Sequence, residues 1–196
     1  MTMFNLSRRT FLNKAAPLSF LPLTGFTSLL VADSGGKYGI KGRAAPPLRV
    51  DYWIDADGQP AEFNQKRLEG KWVYLKCFQN WCPGCHEYGF PALKKVADEF
   101  HGDDRVEVLA IQTVFEGFGS NTRESVRKLQ LRYQLPIMMG HDPGDPEVDP
   151  HPRTMREYRT GGTPWVVIVD PSGTVVFNHF HIDPDKFIPY LRSVLA

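Results

Sequence analysis

Three cysteines occur in 196 residues, and Cys82 and Cys85 stand close together in QNWCPGCHEYGF, residues 79–90. At this spacing a pair can exchange disulfides, supply half of a zinc site, or form a structural staple. Exchange needs one sulfur ionised and a second within reach. The N-terminus of a helix provides both: unpaired N–H groups and the positive dipole end favour a thiolate, and a second sulfur one turn deeper can attack the first. Cys82 is the expected nucleophile, facing outward, and Cys85 the resolving thiol. Cys82 attacks a substrate disulfide; Cys85 then attacks Cys82 and releases the reduced substrate. A zinc site needs two more ligands. Only Cys77 is near, and there is no second C-x-x-C. No metal and no cofactor are expected, and Cys77 is expected as a small buried hydrophobe.

The flanking elements must position this pair. KWVYLKCF, 71–78, has the aromatic and β-branched content of a strand. After Cys85, Phe90, Leu93, Val96 and Phe100 recur at helical spacing. LRVDYWI alternates as a half-buried strand, and VEVLAIQTVF suits a central buried one. SNTRESVRKLQLRYQ is a helix with Ser120, Asn121 and Thr122 as cap candidates. LPIMM is a short strand, and Asp142–Pro152 an acidic, proline-rich solvated loop. TMREYRTGG suggests one or two helical turns. TPWVVIVDPSGTVVFNHF forms two strands around a tight turn, and DPDKFIPYLRSVL is a closing helix capped by Asp183, kinked or cut short at Pro189. This order predicts an α/β fold, a central mixed sheet flanked by helices.

The first 32 residues differ in kind. SRRTFL, followed by an apolar run broken by Pro17, Pro22 and Gly25, resembles a twin-arginine export signal. That resemblance implies export of the folded protein to a periplasmic or other extracytoplasmic site, with permanent anchoring by an uncleaved segment as the alternative. Residues 33–47, rich in Gly, Ala and Pro, are expected as a linker, and 48–196 as the domain. Of the 23 Lys and Arg, six precede residue 46, against only Asp33 of the 22 Asp and Glu; the remainder carries about −4, a poor nucleic-acid binder.

The strand before Trp81-Cys82-Pro83-Gly84-Cys85 and the later GGTPWVVIVDPSGTVVF together resemble the thioredoxin-like family, in its exported TlpA/ResA-type branch, over about 46–196. The resemblance implies a thioredoxin fold with an insertion before the C-terminal hairpin. It places Thr163-Pro164 at the family's cis-proline, facing the cysteines and offering the Thr163 backbone to a substrate chain. It makes Trp81 a lid. It also implies protein thiol or disulfide substrates, a reductase role, and a membrane electron donor. Three features depart from the pattern. Lys76 stands where thioredoxin buries an aspartate. Tyr88 replaces an acid, leaving the neighbouring Glu87 as candidate proton carrier. Pro91 comes one residue late, with Gly89 inserted, so the helix is expected to shift or bulge. His86 is expected to be exposed. Two alternatives stay open: a thiol peroxidase, although Gln79 replaces the expected threonine, and a copper-binding or metallochaperone module using His179 and His181, read as facing one side.

Overall fold

The computed structural model describes residues 37–196; the segment expected as export signal lies outside them. A seven-stranded sheet runs in the order β2-β1-β5-β4-β3-β6-β7. Its strands are β1 (Tyr52–Ile54), β2 (Pro60–Ala61), β3 (Trp72–Phe78), β4 (Val106–Val114), β5 (Met138–Pro143), β6 (Trp165–Val169) and β7 (Val175–His179). The helices are α1 (Phe90–Glu99), α2 (Arg123–Arg132), α3 (Arg153–Glu157) and α4 (Pro184–Leu195). This is a thioredoxin-like fold, with β5 and α3 filling the stretch before the C-terminal hairpin.

β3 is central, parallel to β4 and antiparallel to β6. Both faces are covered, so its side chains alternate between two cores. Val73, Leu75 and Cys77 enter one, with Trp53, Leu109 and Trp165. Tyr74 and Phe78 enter the other, with Phe90, Leu93 and Val96 of α1, Val126 and Leu129 of α2, and Phe187 and Leu191 of α4. Lys76 lies between Tyr74 and Phe78, on the α1 side, and is 1% exposed.

Four expectations change. The described part of the presumed linker does not run free. Ile40 is buried, Gly42 N donates to Val175 O, and Ala45 N donates to Gly173 O, so 37–47 packs along the last hairpin. β5 starts later than LPIMM and extends into the presumed loop, burying His141 and Asp142. The Asp142 carboxylate accepts from Thr154 N at 2.7 Å at the start of α3, and Asp149 pairs with Arg156, so acids of this segment serve the fold. α4 continues through Pro189 to Leu195. Asp183 caps it as expected, accepting from Asp185 N, and Thr122 caps α2.

Candidate active site

β3 ends at Phe78 and the chain turns through Gln79–Trp81 into a helix beginning at Pro83. A buried polar network holds this turn. Asn121 Oδ1 accepts from Asn80 N at 2.6 Å, and Asn121 Nδ2 donates to Gln79 Oε1, which also accepts from Trp81 Nε1. Gln112 links Asn121 to Ser125 and to His141 Nδ1. His86 belongs to this support and does not stand free. Its Nε2 lies 2.5 Å from Asn80 O and its Nδ1 2.6 Å from Tyr133 Oη. A carbonyl can only accept, so in the neutral ring Nε2 carries the proton and Tyr133 donates to Nδ1. Sequence reasoning missed this network; its members come from four separate segments, 79–86, 112, 121–133 and 141, and carry no shared spacing.

None of Cys77, Cys82 and Cys85 is disulfide-bonded. Cys85 N donates to Cys82 Sγ at 3.3 Å, and Cys82 Sγ also lies 3.3 Å from Thr163 O. The Thr163–Pro164 bond is cis, bringing the predicted backbone edge against the sulfur. The Cys82 thiol is lowered to about 6. A hydrogen bond from the Cys85 thiol is the main cause, and bonds from the Thr163 side chain and from the N–H groups of Cys85 and Gly84 add to it, against the opposing effect of burial. Cys85, the donor in that bond and fully buried, is held protonated far above the ordinary thiol value. One sulfur is thus an anion and its neighbour a proton donor, the asymmetry that dithiol exchange requires. Cys82 is only 6% exposed, less than its expected outward position, because the Thr163 carbonyl sits against it. Trp81 is 46% exposed beside it, and its indole is anchored to Gln79.

The helix begins irregularly. Cys85–Gly89 forms one π-helical turn before α1, as the extra residue before Pro91 predicted. A Cβ on Gly89 would lie 3.1 Å from Lys76 Cε, 3.3 Å from its Nζ and 3.2 Å from Pro164 Cβ. Lys76 therefore runs beneath this turn. Burial lowers its ammonium to about 8, while Cys85, then Cys77 and Cys82, pull it upward. Glu87, the expected proton carrier, is exposed on the outside of the turn; the buried titratable group beside Cys85 is Lys76. Cys77 lies on the other face of β3, and burial pushes it up to about 12, as expected for a packed thiol.

The two histidines do not share a side. His179 stacks near Trp165, whereas His181 packs against Tyr88 and lines a groove with Lys76. The strand ends at His179, so its alternation no longer governs His181. Among the described residues no cluster of three or more His, Cys, Asp or Glu could hold a metal. Within the same residues no helix is long and apolar enough to cross a membrane.

The AhpC/TSA family pattern matches residues 41–178. No curated protein matches the chain. Among solved structures, a thioredoxin-like superfamily protein is 30% identical, with a TM-score of 0.67 over 78% of this chain and 95% of its own. A thiol-disulfide isomerase from Corynebacterium glutamicum is 27% identical, with a TM-score of 0.65 over 78% and 97%. A secreted disulfide oxidoreductase from Mycobacterium tuberculosis, homologous to DsbE of E. coli, shares the fold at 16% identity, with a TM-score of 0.51 over 73% and 95%. The chain belongs to the AhpC/TSA family and is a thiol–disulfide oxidoreductase on a thioredoxin-like fold.

Proposed function

We propose that the protein reduces disulfides of other proteins outside the cytoplasm, with Cys82 as nucleophile and Cys85 as resolving thiol. One observation carries this: Cys82 Sγ accepts from Cys85 N at 3.3 Å at the start of the helix and against the cis Thr163–Pro164 edge, an arrangement that lowers the Cys82 thiol and keeps Cys85 protonated. The half-buried backbone of Gly161–Thr163 beside Cys82 offers a substrate chain its edge, and Trp81 covers the approach. The same thiolate supports the reducing direction. A nucleophile at about 6 lies nearer the ~7 of thioredoxin than the ~3.5 of the strong oxidant DsbA. The extracytoplasmic site rests on the twin-arginine-like residues Arg8 and Arg9, with the apolar run after them as export signal or uncleaved anchor, and on the printed description of the secreted mycobacterial protein. A reductase there needs electrons from across the membrane, so a membrane donor is its partner, as in the TlpA/ResA-type branch. The peroxidase alternative ranks second, since the Gln79 carbonyl oxygen is already engaged by Trp81 and Asn121.

Insulin reduction by the protein, abolished in Cys82→Ser, tests the activity. A Cys82–Cys85 potential near about −120 mV in glutathione buffers, the strongly oxidising end of the scale, would overturn the direction.

A further inference from the structure

Thioredoxin-type resolution needs a proton taken from the second thiol, which here is fully buried and strongly protonated. The group placed to take it is a cation. Lys76 is 1% exposed, lies on the face of β3 that carries Tyr74 and Phe78, and passes under the π turn that starts at Cys85. Among the described residues no hydrogen bond or ion pair engages its ammonium. Gly89 leaves the space its end occupies. One side of Lys76 also borders a groove of about 420 Å³, an outlet to water for its proton.

We propose that Lys76 is the proton acceptor for Cys85, resting on the dithiol chemistry above. In the reduced state the Cys82 thiolate stabilises the ammonium. When Cys82 attacks a substrate disulfide, a bond forms from Cys82 Sγ to one substrate sulfur, and the other leaves as a thiolate. Cys82 is now neutral. The buried ammonium has lost its anion, so it gives its proton through the groove to the departing thiolate. The free amine then takes the Cys85 proton. Cys85 Sγ bonds to Cys82 Sγ, the mixed disulfide breaks, and the second substrate thiolate leaves and receives that proton from Lys76. Two electrons and two protons pass to the substrate, which becomes two thiols; the enzyme becomes a disulfide with a neutral lysine.

Other titratable groups face Lys76 from its own strand and across the groove. Cys77, beside it in sequence, is pushed up to about 12. Along the groove stand Glu87, Lys95, His181, Asp183 and Asp185. His181 is lowered, chiefly by burial and then by Lys76 itself.

Ellman's reagent separates the two steps, because each releases one coloured thiolate. The first release reports attack by Cys82 and the second reports resolution by Cys85. In the natural protein the second rate should level off below the reduced-state value of Lys76, about 8, because Cys82 is neutral in the mixed disulfide. In Lys76→Met the second release should slow by about a hundredfold near neutrality and keep rising into alkali, the scale of general base catalysis. Lys76→Arg keeps the charge but cannot give up its proton, and should be slow as well. An unchanged second phase in Lys76→Met, or full rescue by arginine, overturns the proposal; absence of the first phase in the natural protein overturns the oxidoreductase chemistry instead. Carbon-13 labelled lysine in the unsubstituted protein tests the same point without a variant. Lys76 should titrate well below ordinary lysine when reduced and lower again when oxidised. Ordinary titration in both states would refute it.

Discussion

Removing the Cys85 thiol should release its hold on Cys82. The largest cause of the low Cys82 value, about 6, is the bond donated by Cys85. A hydrogen bond to a charged group is worth about 1.5–3 kcal/mol, and one pKa unit corresponds to about 1.4 kcal/mol. Cys85→Ala should therefore raise Cys82 by about one to two units. Cys85→Ser retains an O–H donor at the same place and should leave the value close to the original. The assay is the thiolate ultraviolet absorbance against pH, paired with the iodoacetamide alkylation rate over the same range. Cys77 does not contaminate either signal, being fully buried and pushed up to about 12. If Cys82 in Cys85→Ala still titrates at about 6, the sulfur-to-sulfur hydrogen bond is not what ionises it, and the Thr163 side chain with the N–H groups of the helix start must suffice.

Other perturbations probe the supports. His141 is lowered to about 4, first by burial and then by Arg123. A base with a folded value below its unfolded one takes up protons first in the unfolded chain. Stability should thus be complete above the ordinary histidine value, fall as pH drops toward about 4, and level off below; the full loss is about 3 kcal/mol, read by urea unfolding and flattened in His141→Gln. His86→Ala strips the Asn80 carbonyl of its donor and should cost about 1–3 kcal/mol in unfolding free energy. Gly89→Ala brings a methyl within 3.1–3.3 Å of Lys76 and Pro164, so it should displace the lysine end and slow insulin reduction. Phe90→Ala opens a void between Phe78 and Tyr133, whose rings lie 5.1 and 4.3 Å from its own, and should cost about 3–5 kcal/mol by the same measurement.

The parts legible in the sequence are those with local periodicity or punctuation. The buried strands, the amphipathic helix after Cys85 and the Asp183 cap follow from residue spacing and punctuation, and Thr122 was one of three cap candidates; the helical bulge followed from the resemblance, in whose pattern the proline comes one residue earlier. The placement of Lys76 was also available, since alternation along β3 puts it on the face of Tyr74 and Phe78. What spacing cannot reveal is pairing between distant segments. Asn121 meets Asn80, His86 meets Tyr133, and Ile40 packs against the sheet only once the chain has folded. The Gly- and Pro-rich composition of 37–47 suggested a spacer, yet its backbone groups are bonded to the last hairpin.

The π turn at Cys85–Gly89 has a consequence for the rest of its helix. An added residue rotates everything downstream by about 100°, which would swing Leu93 and Val96 toward solvent. Absorbing the surplus within one wide turn restores the phase by Phe90, so the apolar stripe still lands on the sheet. An insertion beside the reactive sulfurs thereby reshapes their floor while the body of the domain keeps its alignment.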